Sequence, residues 1–364
     1  MWLANRPQGR KFLQEKSPAY MTARTCYTQL QNLTRDLNRT TLPKLPPVPG
    51  SDGEAEYIGQ VHLWKEWIAW EKADNLVLKD DDPKAFRKRV LFTYTQALMA
   101  LQFWPPIWYD AAEFCFEDGM EKEGLDFLRR GIVANPESCL LAFKLSDRIE
   151  LTTTNDEGND PGAKLRMSKV RDPYDKLLNS LYELGARIKN TESLEMAKLT
   201  EQSITGVDAA LKGLETAEDN EASRLERDSG QTEKEARIAA VKQNAAAQTA
   251  LLQKTISYAW IGLIRAARRI QGKGLPGEKG GGFRAVFGDA RKRGKITSDV
   301  YVENALIEYH CYKDPVGTKI FERGMKLFPD DERFALEYLK HLIAINDTTS
   351  KSYLPELESV TEIP

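Results

Sequence analysis

The densest apolar pattern in the chain is LWKEWIAWE, where Trp64, Trp67 and Trp70 recur every three residues. On a helix this spacing forms one inclined aromatic stripe. Each Trp brings roughly 150 to 250 Å² of surface, more than a lone helix of this length can cover, so the stripe predicts a second helix packed on top of it. The stretch KAFRKRVLFTYTQALMAL, residues 84–101, supplies one. It carries Val90, Phe92, Tyr94, Ala97, Leu98 and Leu101 on its apolar side, with Pro105 and Pro106 beyond its end. The predicted unit is an antiparallel helix pair.

The same pattern returns along the chain. IWYDAAEFCFEDG places Trp108, Ala111 and Phe114 at the three-residue step, and EGLDFLRRGIVANP, closed by Pro136, is its return helix. LLAFKLSDRIEL opens a third pair, whose partner VRDPYDKLLNSLYELGARI follows the Gly-, Asn- and Asp-containing loop TTTNDEGNDPGAK. YAWIGLIRAARRI then aligns Trp260, Leu263 and Ala266, with FRAVFGDARKRG returning. YVENALIEYHCYKD aligns Tyr301, Asn304, Ile307 and Glu308, with VGTKIFERGMKLFP returning around Phe321. Anchors at Trp64, Trp108, Trp260, Tyr301 and Phe334 give steps of 44, 41 and 33 residues between consecutive units, the range of helical-pair solenoids. Trp64, Trp67, Trp108, Trp260 and Phe321 are therefore the expected repeat core. The last unit, ERFALEYLKHLIAI, has no convincing return helix. Either the chain is a piece of a longer array or SKSYLPELESV serves as its cap.

The remaining segments set the organisation. Residues 1–41 are a basic segment followed by a helix over 19–39, with Met21, Tyr27, Leu30, Leu33 and Leu37 at helical spacing. Four prolines make 42–56 a semi-rigid linker. Repeats fill 57–191 and 253–346, and 347–364 is a tail. Between the repeat blocks, 192–252 is rich in Ala, Glu and Lys. Its 192–242 portion holds twelve acids against seven bases. The expectation is an acidic helical insertion of long solvated helices with a flexible middle at 228–231, the alternative being a coiled-coil partner site.

Composition narrows the function classes. A mean hydropathy of −0.51 and no apolar run of 18 residues predict no membrane span, and the N-terminus lacks the apolar core of a secretory signal. Cys26, Cys115, Cys139 and Cys311 are far apart with no CxxC pair, which predicts reduced thiols in a cytosolic or nuclear protein. His62, His310 and His341 form no metal-ligand spacing, and no cofactor or metal is expected. GKGLPGEKGGG lacks the GxxxxGK[ST] order and follows a helix, so it is an inter-helix turn rather than a phosphate loop.

WxxWxxWE followed by RVLFTYTQAL or KIFERGMKLFP resembles the half-a-tetratricopeptide (HAT) repeat of RNA-processing proteins. YMTAR, the proline-rich linker, LWKEWIAWEK, KRVLFTYTQAL, PPIWYDAAEF, IRAARRIQG and VYVENALIEYHCYKDPVGTKIFERGMK, over roughly 19–347, resemble the suppressor-of-forked family. That family provides the HAT-repeat subunit of cleavage stimulation factor and of fungal cleavage factor IA, in mRNA 3′-end formation. The resemblance implies an all-α superhelix (solenoid) of HAT helical pairs and a nuclear, non-enzymatic scaffold. Its second block would homodimerise and hold other cleavage and polyadenylation subunits on RNA. The family's first repeats would precede Met1, the acidic segment is extra, and the segments that bind its RNA-recognition-motif subunit lie outside these residues. A HAT scaffold of splicing is the alternative, and a prenyltransferase-type subunit the enzymatic rival, although its NYxxWxxR repeats do not occur here.

Two surfaces are candidates for contact. With a net charge of −2, nucleic acid would need a local patch. Residues 265–295 offer one: ten cations, among them Arg268, Arg269, Lys273, Arg291, Lys292, Arg293 and Lys295, against two acids. It is either a solvated face or a dock for RNA phosphates or an acidic partner, and RKRGK could serve nuclear import. For dimerisation, Tyr301, Tyr309, Tyr312, Phe334 and Tyr338 are the candidates, because one helix pair is not expected to bury so many aromatics.

Overall fold

A computed structural model describes residues 7–39, 42–153, 160–213, 221–274 and 281–349. Thirteen α-helices and no strand are found among them, and the chain divides into two compact units, Met1–Leu145 and Ser146–Pro364. The first unit holds α1 (Pro7–Thr34), α2 (Glu54–Lys72), the single turn α3 (Leu78–Asp81), α4 (Pro83–Ala100), α5 (Pro105–Glu117), α6 (Glu121–Ala134) and the start of α7 (Cys139–Thr152). The second holds the rest of α7, then α8 (Asp160–Gly213), α9 (Glu221–Gln271), α10 (Gly282–Arg293), α11 (Ser298–Tyr312), α12 (Val316–Leu327) and α13 (Glu332–Thr349). Prolines start the helices where their missing N–H costs nothing: Pro83 stands behind Asp82, whose carboxylate accepts the Ala85 N–H at 3.1 Å, and Pro105 and Pro106 open α5.

The helices pair as α2 with α4, α5 with α6, α9 with α10 and α11 with α12. Trp64, Trp67, Trp108, Trp260 and Phe321 are all buried, at 5% exposure or less. Trp70 is only half-buried and donates to Gln29 of α1 instead. Phe92 faces solvent, while Val90, Tyr94, Ala97, Leu98 and Leu101 are buried, the Tyr94 ring 6.0 Å from that of Phe114 on α5. Met21 and Tyr27 are exposed as well. α1 is covered along Cys26, Leu30 and Leu33, and it begins well before residue 19, running through Pro18.

One repeat feature is set by size rather than hydrophobicity. In the return helices α4, α6, α10 and α12 the residue four before the C-cap is small and buried: Ala97, Gly131, Ala290 and Gly324. Each gives its carbonyl to the cap N–H, of Leu101, Asn135, Gly294 and Phe328 respectively. At Gly131 a Cβ would come within 2.9 Å of Trp108 and 3.1 Å of Leu141, and at Gly324 within 2.2 Å of Phe334. The small residue is what lets an anchor ring of the array approach the return helix.

The segment 192–252 has no boundary at either end. α8 continues the return helix of the third pair into it, and α9 carries it on into Trp260, so the residues lengthen two repeat helices that pack against each other. Helix runs through 228–231, where a flexible break was expected, and residues 214–220 lie outside the described residues. On the shared seam Met196 and Leu199 of α8 are half-buried, as are Ile238 and Val241 of α9, while Ala245, Leu252 and Ile256 are buried. Leu194, expected on the narrow apolar face, is 62% exposed. Pro173 lies inside α8 and cannot donate to the carbonyl of Lys169. The next carbonyl, of Val170, takes a bond at 2.8 Å from the buried Ser146 hydroxyl of α7.

Candidate functional site

The basic stretch divides into a spent part and an exposed part. Arg265 of α9 binds Glu303 of α11 through two bonds, at 2.6 and 2.8 Å, and Arg269 binds Glu150 of α7 at 2.8 and 2.7 Å with Asp147 at 3.6 Å. Arg284 of α10 reaches both Glu308, which is buried, and Asp314, and Lys273 is paired with Asp314 as well. Hydrogen bonding to Lys273, then to the Val316 N–H and to Arg284, holds the Asp314 carboxyl down at about 2. Bonding to their carboxylates raises Arg265, Arg269 and Arg284 further, against the opposing pull of desolvation. Arg268 donates to Cys311 Sγ at 3.6 Å. These cations hold successive helices together, and sequence counting missed it because the acids come from distant elements.

What stays open is the C-terminal end of α10. Arg291, Lys292, Arg293 and Lys295 are exposed there, the first three in the last turn, where cations complement the helix dipole. The Arg293 guanidinium lies 4.2 Å from the centre of the Tyr182 ring and bonds Asn179 at 2.8 Å, while Arg291 lies 5.6 Å from Phe287. Tyr182 OH donates to the Gly294 carbonyl at 2.7 Å, which ties this corner to α8. Asp289, the one nearby acid on α10, is taken by Arg171. Of the seven cations expected to meet RNA or an acidic partner, four therefore form one cluster.

The aromatics expected at a dimer interface are mostly interior. Tyr301 and Phe334 are buried at 5% and 1% exposure, Tyr301 between Phe287 and Phe328, Phe334 against Phe321 and Phe328. Tyr312 stacks on Phe283, Tyr338 stacks on Phe321, and Tyr309 OH donates to the Ala344 carbonyl. Four helices, α10 to α13, share these rings, and counting a single pair overlooked the neighbours on either side. The apolar surface left open lies on α13, where Leu336, Leu339 and Ile343 are half exposed on one face.

No group of three or more His, Cys, Asp or Glu side chains among the described residues could hold a metal ion. His62 and His310 are exposed, whereas His341 is buried with its Nε2 3.1 Å from the Thr318 hydroxyl; burial, then the neighbouring His310, lowers its pKa. All four cysteines are free, and burial pushes Cys115 up to about 12 and Cys139 to about 11. The glycine-rich turn joins α9 to α10. Its residues 275–280 lie outside the described residues, and its start is pinned by the Phe283 N–H donating to the Gly272 carbonyl. No helix among the described residues is long and apolar enough to cross a membrane.

Comparison with known proteins follows the same line. The mRNA 3′-end-processing protein rna14 of Aspergillus fumigatus is 60% identical over 343 residues, which cover 94% of this chain and 33% of that protein. The mRNA 3′-end-processing protein RNA14 of Gibberella zeae is 51% identical over 350 residues, 95% of this chain and 34% of that one. The chain thus spans about a third of the length of the curated relatives it matches. A solved structure described as the crystal structure of CstF-77 aligns with a TM-score of 0.49 at 13% identity, over 95% of this chain and 52% of that one. The family model for Suppressor of forked protein (Suf) matches residues 4–361, which is nearly every residue of the repeats and segments described above, and the chain belongs to the suppressor-of-forked family.

Proposed function

We propose that the chain is a non-enzymatic, nuclear helical-repeat scaffold of the pre-mRNA 3′-end cleavage and polyadenylation machinery, homodimeric and holding other processing subunits on RNA. The observation that carries this is the 60% and 51% identity, across 94% and 95% of the chain, to relatives named for mRNA 3′-end processing. The described surface adds buried seams, ion pairs spent between helices, and open faces of the kind that dock partners. Purification of the tagged chain from nuclear extract tests the reading. Cleavage and polyadenylation subunits are expected in the eluate, and spliceosomal proteins or a catalytic prenyltransferase subunit in their place would overturn it.

RNA contact is assigned to the end of α10. Reversing Arg291, Lys292 and Arg293 to Glu is expected to weaken binding of single-stranded RNA regardless of its sequence. Each lost phosphate contact should flatten the slope of log K against log salt by about 0.7. Filter binding between 50 and 200 mM salt reads both quantities, and an unchanged slope makes the cluster a solvated face.

Dimerisation is assigned to the open face of α13, since a second copy presenting the same face would cover Leu336, Leu339 and Ile343 by an isologous contact. Light scattering on the chain at tens of micromolar should give a dimer mass. Leu336→Asp with Leu339→Asp and Ile343→Asp should give the monomer. A monomer before substitution removes the dimer, and a dimer that survives the three changes moves the interface elsewhere.

A further inference from the structure

Both α4 and α6 pack on α5, and a groove of about 470 Å³ is left between them. Its floor is Trp108 of α5, whose indole N–H donates to the Gln102 carbonyl at 2.9 Å. The same carbonyl takes the Asn135 side-chain N–H at 3.0 Å. Asn135 is the C-cap of α6 and Gln102 follows the end of α4, so the two helix ends are tied and the groove is formed before anything enters it. One bank carries Met99 and the other Val133, 64% and 84% exposed.

The repeats set these two side chains apart. Each stands two residues before the C-cap of its return helix, the place that Lys292 holds in α10 and Lys326 in α12. Both lysines are exposed. Valine is a poorer helix former than lysine and gains nothing there by burial, so neither local propensity nor packing within the chain accounts for an apolar pair at a solvent position. Two such residues on one groove differ from the single apolar residues scattered over any surface. The charge beside them has one sign: Arg129 and Arg130 line the groove and no acid does. Arg129 has no ion pair among the described residues, and Arg130 holds Asp126 at 3.5 Å in an exposed (i, i+4) pair of the kind worth little.

We propose that this groove docks an acidic segment of a partner protein, with a bulky apolar side chain entering between Met99 and Val133 above Trp108 and a neighbouring carboxylate binding Arg129. Closing the apolar banks on that side chain takes surface out of water, and methionine adapts its shape to what enters. The guanidinium takes a carboxylate through two parallel bonds, which fixes the direction of the bound chain. Nucleic acid fits less well, because two cations are few and the Trp108 ring, 4% exposed, offers no face on which a base can stack. The groove stands on its own geometry, so its failure would leave the role in 3′-end processing untouched.

The test starts from random dodecapeptides displayed on phage, selected on the intact chain and counter-selected on the chain carrying Arg129→Glu and Val133→Asp. Both positions are exposed, so the double variant is expected to melt with the parent chain. The retained peptides should pair Asp or Glu with Leu, Ile, Met or an aromatic residue within one helical turn. A fluorescein-labelled copy of the strongest should bind about tenfold more weakly to Arg129→Glu and to Val133→Asp alike, since a charge-assisted bond and a buried valine are each at least of that size. It should also shift the Met99 methyl signal of the ¹³C-methionine-labelled chain, assigned by its loss in Met99→Leu. The site is overturned if the selection yields no peptide that the double variant fails to retain, if the retained peptides lack acids, or if the Met99 methyl stays in place at saturation. A uridine dodecamer whose binding is lost through the same two substitutions would give the groove to nucleic acid instead. A dimer that Val133→Asp converts to monomer would give it to a second copy, and either result overturns the acidic partner.

Discussion

Trp64→Ala is expected to destabilise the first unit by about 3 to 5 kcal/mol, a large share of the 5 to 15 typical of a whole domain. Trp64 is 1% exposed and stacks on Trp67 with ring centres 5.5 Å apart, so the truncation leaves a cavity in the seam between α2 and α4 that neither neighbour can fill. Trp70→Ala on the same stripe is the internal control. That ring is half-buried and lies toward α1, and its loss should cost distinctly less. Urea unfolding followed by circular dichroism gives both values. Equal midpoints for the two variants would mean that the seam does not run through Trp64.

Gly324→Val is expected to cost about 1 to 3 kcal/mol, even though valine replaces the residue that is worst for a helix after proline. The new Cβ would stand 2.2 Å from Phe334 Cζ, and Phe334, packed on Phe321 and Phe328, has no free direction in which to retreat. Gly131→Val should behave alike against Trp108. Gly59→Ala should do the opposite. Gly59 lies in the middle of α2, exposed and with nothing within 4 Å of the position a Cβ would take, so alanine should stabilise by roughly 0.5 to 1 kcal/mol. Melting temperatures of the three variants decide the matter, and a stabilised Gly324→Val would remove the close approach.

The helix pairs were legible because period and size point the same way. A large apolar ring every three or four residues can only be covered by a second helix, and this places Trp64, Trp108, Trp260, Tyr301 and Phe334 without further information. The small residue at Ala97, Gly131, Ala290 and Gly324 was less visible, since alanine and glycine carry little hydropathy signal and the requirement is steric. Its sequence trace is an RG whose glycine stands four residues before the C-cap of the return helix, in RRGIVANP and ERGMKLFP. The candidate surfaces were read less well. A run of cations says nothing about which acids lie opposite, and Glu150, Glu303 and Glu308 come from other helices and Asp314 from the turn between α11 and α12. Counting aromatics per pair likewise missed that α13 shares the rings of α11 and α12.

The place of the acidic segment has a consequence for how the chain can change in evolution. Its described residues sit inside α8 and α9, so the length added to the two helices is a paired quantity. Losing seven residues from each helix would shorten both by about 10 Å and keep the seam facing inward. Losing seven from one helix alone would set Met196 and Leu199 against the wrong partners while leaving Trp260 untouched. Related chains should therefore differ here by matched increments, with the repeats on either side keeping their spacing whatever the length of the arm.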